Sequence, residues 1–73
     1  MSEKTGLDNS TYNILSILGK DADFLHDTVD RYIKDAETSN RTELAELWKN
    51  IRNDRRKHVD MLKDALKKNF VSS

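Results

Sequence analysis

Apolar residues recur along most of this chain in alternating steps of three and four. They fall at Leu15, Leu18, Ala22, Leu25, Val29, Tyr32 and Ala36, and again at Leu44, Trp48, Ile51, Leu62 and Ala65, with Arg55 and His58 filling the two vacant places of the second series. Such spacing returns side chains to one stripe of an α-helix, so each series predicts a helix with a seam of the coiled-coil kind. With no proline and only two glycines in the chain, the helices should run over about 9–38 and 41–70. The ends, 1–7 and 71–73, are expected to fray. One glycine, Gly19, falls inside the first helix. The stepping passes through it unbroken, which predicts a continuous helix approaching its neighbour closely beside Val59. A break there, with Asp21 capping a new start, is the other reading.

The interruption between the two series is Thr38-Ser39-Asn40-Arg41-Thr42-Glu43. Asn40 suits an N-cap, and Glu43 three residues later can close a capping box. A turn this short between long helices makes an antiparallel hairpin. Folding there pairs Ala36 with Leu44, Tyr32 with Trp48, Val29 with Ile51, Leu25 with Arg55, Ala22 with His58, Leu18 with Leu62 and Leu15 with Ala65.

Apolar residues remain beyond that seam. One flank carries Tyr12, Gly19, His26 and Ile33 against Ala45, Arg52, Val59 and Leu66, while Ile14, Ile17 and Phe24 form a patch on the opposite edge. A hairpin with apolar shoulders as well as an apolar seam calls for another hairpin, most economically a second copy in a four-helix bundle. The anchors of that contact are expected at Ile17, Phe24, Ile33, Val59 and Leu66. Arg55 and His58, as polar seam residues, would set register and partner choice.

Composition narrows the classes of function. The 73 residues allow one domain, and 36% apolar against 36% charged residues leave little material for a core. A monomeric enzyme is therefore not expected. The absence of cysteine removes disulfides and thiolate metal sites and agrees with a reducing compartment. The start, MSEKTGLDNS, lacks the charged-then-apolar pattern of a secretion signal, and the longest apolar run in the chain is two residues. A cytoplasmic protein without a membrane partner is the expectation.

Lysine plus arginine and aspartate plus glutamate each number 13, so no global field draws nucleic acid. The charges are segregated, however: seven acids and three bases lie between 8 and 38, against five acids and nine bases between 41 and 70. An acidic helix beside a basic one accounts for the Arg55-Arg56-Lys57 run. Lys49, Arg52, Arg55, Arg56 and Lys57 wrap around their helix without aromatic interleaving, which argues against a nucleic-acid stripe.

Two local patterns touch known chemistry. The span 44–66, LAELWKNIRNDRRKHVDMLKDAL, resembles the second helix of a ferritin-like or rubrerythrin-like hairpin, whose pattern is a metal-binding Glu-x-x-His. The resemblance implies iron or another divalent metal held between helices. This chain departs from the pattern because Arg55 stands where the glutamate would be and Ala22 occupies the facing position. Asp21, Asp54 and His58 are the substitute ligands. In the plainer alternative, His58 fills the space beside Ala22 and donates to Asp21 or Asp54.

The run Phe24-Leu25-His26-Asp27-Thr28-Val29 is similar to the phosphoacceptor box of a histidine-kinase dimerisation class. That likeness implies phosphorylation of His26 with Asp27 beside it. The plainer alternative pairs a half-exposed His26 with Asp23 or Asp30. The reading that covers most of the chain is a non-enzymatic helical assembly or interaction protein, without a cofactor, whose partner is a second copy or another helical protein.

Overall fold

The computed structural model describes residues 6–71, with side chains described through Asn69. The expected fraying at 1–5 and 72–73 lies outside the described residues. Every regular element among those described is helical: α1 (Asn9–Asp23), a π-helical turn (Phe24–Thr28), α2 (Val29–Thr38) and α3 (Thr42–Val71). The first three form one continuous arm that packs antiparallel along α3.

Helix α1 begins because Asp8 is a good cap. Its backbone is extended and its carboxylate accepts the Thr11 N–H at 2.7 Å. Hydrogen bonds from Thr11, first from its side chain and then from its backbone, hold the Asp8 carboxyl below its ordinary pKa. Asn69 near the far end of α3 donates to the Thr11 hydroxyl. A polar clasp thus ties the open end of the hairpin.

Gly19 does not break the helix, nor does it serve a close approach. A methyl group placed on it would meet nothing within 4 Å. The irregularity comes five residues later, where the Val29 N–H reaches back to the Phe24 carbonyl and one extra residue enters the turn. A regular helix continuing the inward positions Thr11, Ile14, Leu18, Asp21 and Leu25 would next turn Thr28, Tyr32 and Asp35 inward. The π turn advances the phase so that Val29, Ile33 and Ala36 are buried instead, at 0%, 7% and 3% exposure.

This corrects the predicted stripe. Leu15 and Tyr32 are 38% and 40% exposed, and Ala22 is exposed as well. Of the predicted first seam, the interior takes Leu18, Leu25, Val29 and Ala36.

Asn40 ends the first arm and does not start α3. Its φ is +59°, in the left-handed region that asparagine tolerates. The Arg41 N–H bonds to the Ala36 carbonyl at 2.8 Å and the Asn40 N–H to the Glu37 carbonyl at 3.1 Å. These are the paired bonds of a Schellman cap. The first bond into α3 runs from the Ala45 N–H to the Arg41 carbonyl at 3.0 Å.

On α3 the inward positions are Ala45, Trp48, Arg52, Arg55, Val59, Leu62, Leu66 and Asn69, all buried or half-buried. Their spacing is again three and four, but the stripe is turned toward what was predicted as a flank. Val59 and Leu66 point inward where His58 and Ala65 were expected, and those two are exposed. Toward the open end this turns valine and leucine inward in place of imidazole and alanine, whereas toward the turn the same rotation brings Ala45 and Arg52 inward and leaves Leu44 and Ile51 half-buried. The predicted aromatic register does hold: Tyr32 and Trp48 meet with ring centroids 5.1 Å apart.

The Cα envelope measures 50 × 22 × 13 Å. Two arms packed side by side make a single layer.

Candidate interaction face

A single layer of two helices has two broad faces, and here they differ in chemistry. Lys49 lies to one side of α3's inward stripe, next to Arg52 of that stripe, and the two pair with Glu37 and Asp30 of α2, each at 3.7 Å. Arg56 lies beside them, lining a shallow polar depression with Leu25, Asp30 and Arg52. All these groups are at least a third exposed, so each pair contributes at most about 1 kcal/mol. This face is the acidic arm docked on the basic one, as the charge segregation predicted.

The opposite face is largely apolar. From the middle of the hairpin toward the turn, Phe24 meets Tyr32 edge-on at 6.3 Å, and Tyr32 in turn meets Trp48. Toward the open end, Ile17, Met61, Leu62 and Ala65 line a groove with His58 at its edge and Asp21 at its floor. Met61 is 67% exposed, Leu47 49% and Ile17 44%. Isolated apolar side chains on a surface are ordinary, whereas several gathered on one face mark a contact site.

Between the aromatic end and the groove sits the charged centre of the hairpin. Asp21 is 3% exposed, and Arg55 reaches it with Nη1 at 2.8 Å from Oδ1. The guanidinium lies over the Phe24 ring, 5.0 Å from its centroid, which adds cation–π attraction to the ion pair. No side-chain polar atom buried among the described residues lacks a partner. Of the ion pairs between the arms this is the one with a buried carboxylate, and it helps to fix their register.

The predicted site residues separate under this geometry. Ile17 is exposed on the apolar face, and Phe24 is half-buried there. Ile33 is closed inside the hairpin, while Val59 and Leu66 are half-buried along the inward stripe. Residues that the periodicity alone did not single out, Leu47 and Met61, supply the most exposed aliphatic surface of α3. The signal for them was present as a second three-four series beside the first.

Asp21, predicted as a metal ligand, is occupied by Arg55, while His58 and Asp54 are exposed on α3. Among the described residues no three histidine, cysteine, aspartate or glutamate side chains converge on one point. His26 is exposed within the π turn. Its neighbour Asp27 pairs with Arg31 at 3.2 Å and Asp30 pairs with Arg52, so both carboxylates are engaged elsewhere.

Fold and site together define an amphipathic helical hairpin, ionic on one face and apolar on the other. No protein-family model, no curated protein and no solved structure matches the chain. Among the described residues no helix is long and apolar enough to cross a membrane.

Proposed function

We propose that this protein is a non-enzymatic assembly module that works by packing two hairpins, apolar face to apolar face, into a four-helix bundle. The observation that carries the reading is the single-layer fold with one ionic and one apolar face. Folded domains are built from at least two packed layers around a shared core. The described hairpin supplies one layer and fully buries few apolar side chains, chiefly Val29, Ile33, Ala36 and Ala45.

Area supports the same reading. The chain exposes 5773 Å², whereas a compact monomer of 8.5 kDa exposes about 4,650 Å², leaving an excess of about 1,100 Å². An ordinary dimer interface removes roughly 800 Å² from each partner. Because a two-fold contact joins the same face of each copy, pairing closes at two copies and does not propagate into a fibre. The assembled bundle presents the ionic faces outward, and the biological partner, if different from the chain itself, competes for the same apolar face.

Sedimentation velocity and equilibrium at micromolar concentration test the proposal. A helical dimer is expected, and Met61→Glu with Leu47→Glu should shift it to monomer or unfold it. A parent chain that is folded and monomeric at that concentration would overturn the reading.

A further inference from the structure

Helix α3 carries a second seam, turned by about a quarter of a circle from the one that faces the first arm. Leu44, Leu47, Ile51, Asp54, His58, Met61, Ala65 and Lys68 succeed one another in strict steps of three and four, and all are exposed or half-exposed. A helix in a four-helix bundle needs two such seams, one for each neighbour. The inward stripe serves the first arm, which leaves this one for another helix.

The second seam is palindromic in chemistry. Read from opposite ends, Leu44 stands against Lys68, Leu47 against Ala65, Ile51 against Met61 and Asp54 against His58. Large side chains meet small or flexible ones, which lets two antiparallel copies interdigitate. The only polar residues in its interior, Asp54 and His58, meet as carboxylate and imidazole. Within the hairpin neither makes an ion pair among those found. Two exposed, complementary polar groups placed symmetrically about the middle of an otherwise apolar seam fit a self-complementary contact.

Resting on the dimer reading above, we infer that the two copies pack with their turns at opposite ends, α3 against α3 along this seam, and that Asp54 of each copy pairs with His58 of the other. The two-fold axis crosses α3 near Arg56 and passes beside Phe24, which is level with Arg55. This arrangement sets the aromatic end of each face, Tyr32, Trp48 and Leu47, over the groove of the other copy lined by Ile17, Met61 and Ala65. The alternative with both turns at one end would lay α3 over the first arm of the other copy and forgo the match of Asp54 with His58. An isologous contact makes each favourable pair twice, so the Asp54–His58 match contributes two charge-assisted hydrogen bonds to specificity.

A spin label at Ser39→Cys tests the orientation on the unaltered face, since the chain contains no other cysteine. Ser39 is exposed at the turn. Turns at opposite ends of a bundle this long place the two labels about 45 Å apart, whereas turns at one end place them within roughly 20 Å. The long distance is expected; a short one would overturn the inference while leaving dimerisation intact.

Charge exchange tests the pair itself. Asp54→Lys should weaken dimerisation at least about tenfold by setting lysine against imidazole. Adding His58→Glu should restore it to within about threefold, with helicity checked by circular dichroism. A double variant no better than Asp54→Lys alone would overturn the pairing, and a monomeric parent would instead overturn the dimer reading on which it rests.

Discussion

The Asp21–Arg55 bridge should respond very differently to loss of its two ends. Asp21 has a side chain 4% exposed and Arg55 one 39% exposed. Removing the arginine as Arg55→Met strands a buried carboxylate, a perturbation that typically costs about 3–5 kcal/mol. Removing the acid's charge as Asp21→Asn leaves a guanidinium that still reaches water and still covers the Phe24 ring at 5.0 Å. Its loss should be nearer to about 1 kcal/mol, the scale of a solvent-screened pair. At about 4–8 °C per kcal/mol for a domain of this size, the melting temperature should fall by roughly 12 °C or more for Arg55→Met and by about 5 °C for Asp21→Asn. Replacing both, as Asp21→Leu with Arg55→Met, fills the same space with apolar groups and should return stability to near the parent value. Urea and thermal unfolding at one fixed protein concentration provide the comparison, because stability linked to association varies with concentration. Equal losses for the two single variants, or a double variant worse than both, would refute the burial argument.

Two further outcomes follow from local geometry. Gly19→Ala should raise stability by roughly 1 kcal/mol, since the site is helical and the added methyl meets open space; unfolding of the variant beside the parent checks this, and a loss of stability would mean the position is crowded after all. The Asp8 cap should weaken in acid. Its carboxyl is depressed by bonds from Thr11, so its contribution is complete above the ordinary aspartate value and is lost as the pH falls through the lower folded value. Amide chemical shifts of Asn9, Ser10 and Thr11 should move over that acid range, and Asp8→Asn should abolish the movement.

Much of the architecture was legible in the sequence because it depends on local rules. Three-four spacing, the absence of proline and the short segment after Thr38 were enough to specify two helices and an antiparallel return, and the Tyr32–Trp48 contact lies where that register put it. The charge segregation likewise foretold an acidic arm beside a basic one, which the Glu37–Lys49 and Asp30–Arg52 pairs realise. The apolar face was partly legible: Ile17 and Phe24 stand out in the pattern, but Leu47 and Met61 are hidden because three-four spacing makes the stripe through Leu44 and Ile51 read as inward. Their signal was a second periodic series that becomes distinct only once the first is assigned a partner.

What the sequence determined by itself was therefore the set of stripes each helix offers, since backbone geometry converts spacing directly into faces. Which stripe turns inward was decided only by tertiary packing, which takes Val59 and Leu66 in place of His58 and Ala65 at the open end, and seats Arg52 and Arg55 against Asp30 and Asp21 of the first arm. The π turn at Phe24–Thr28 belongs to the same level: one extra residue in a turn is unfavourable locally, and it persists because it exchanges Tyr32 and Asp35 for Ile33 and Ala36 against the second arm. Asn40 shows the distinction at a single residue. Its side chain suits either end of a helix, and the left-handed backbone that closes the first arm chose the C-terminal role.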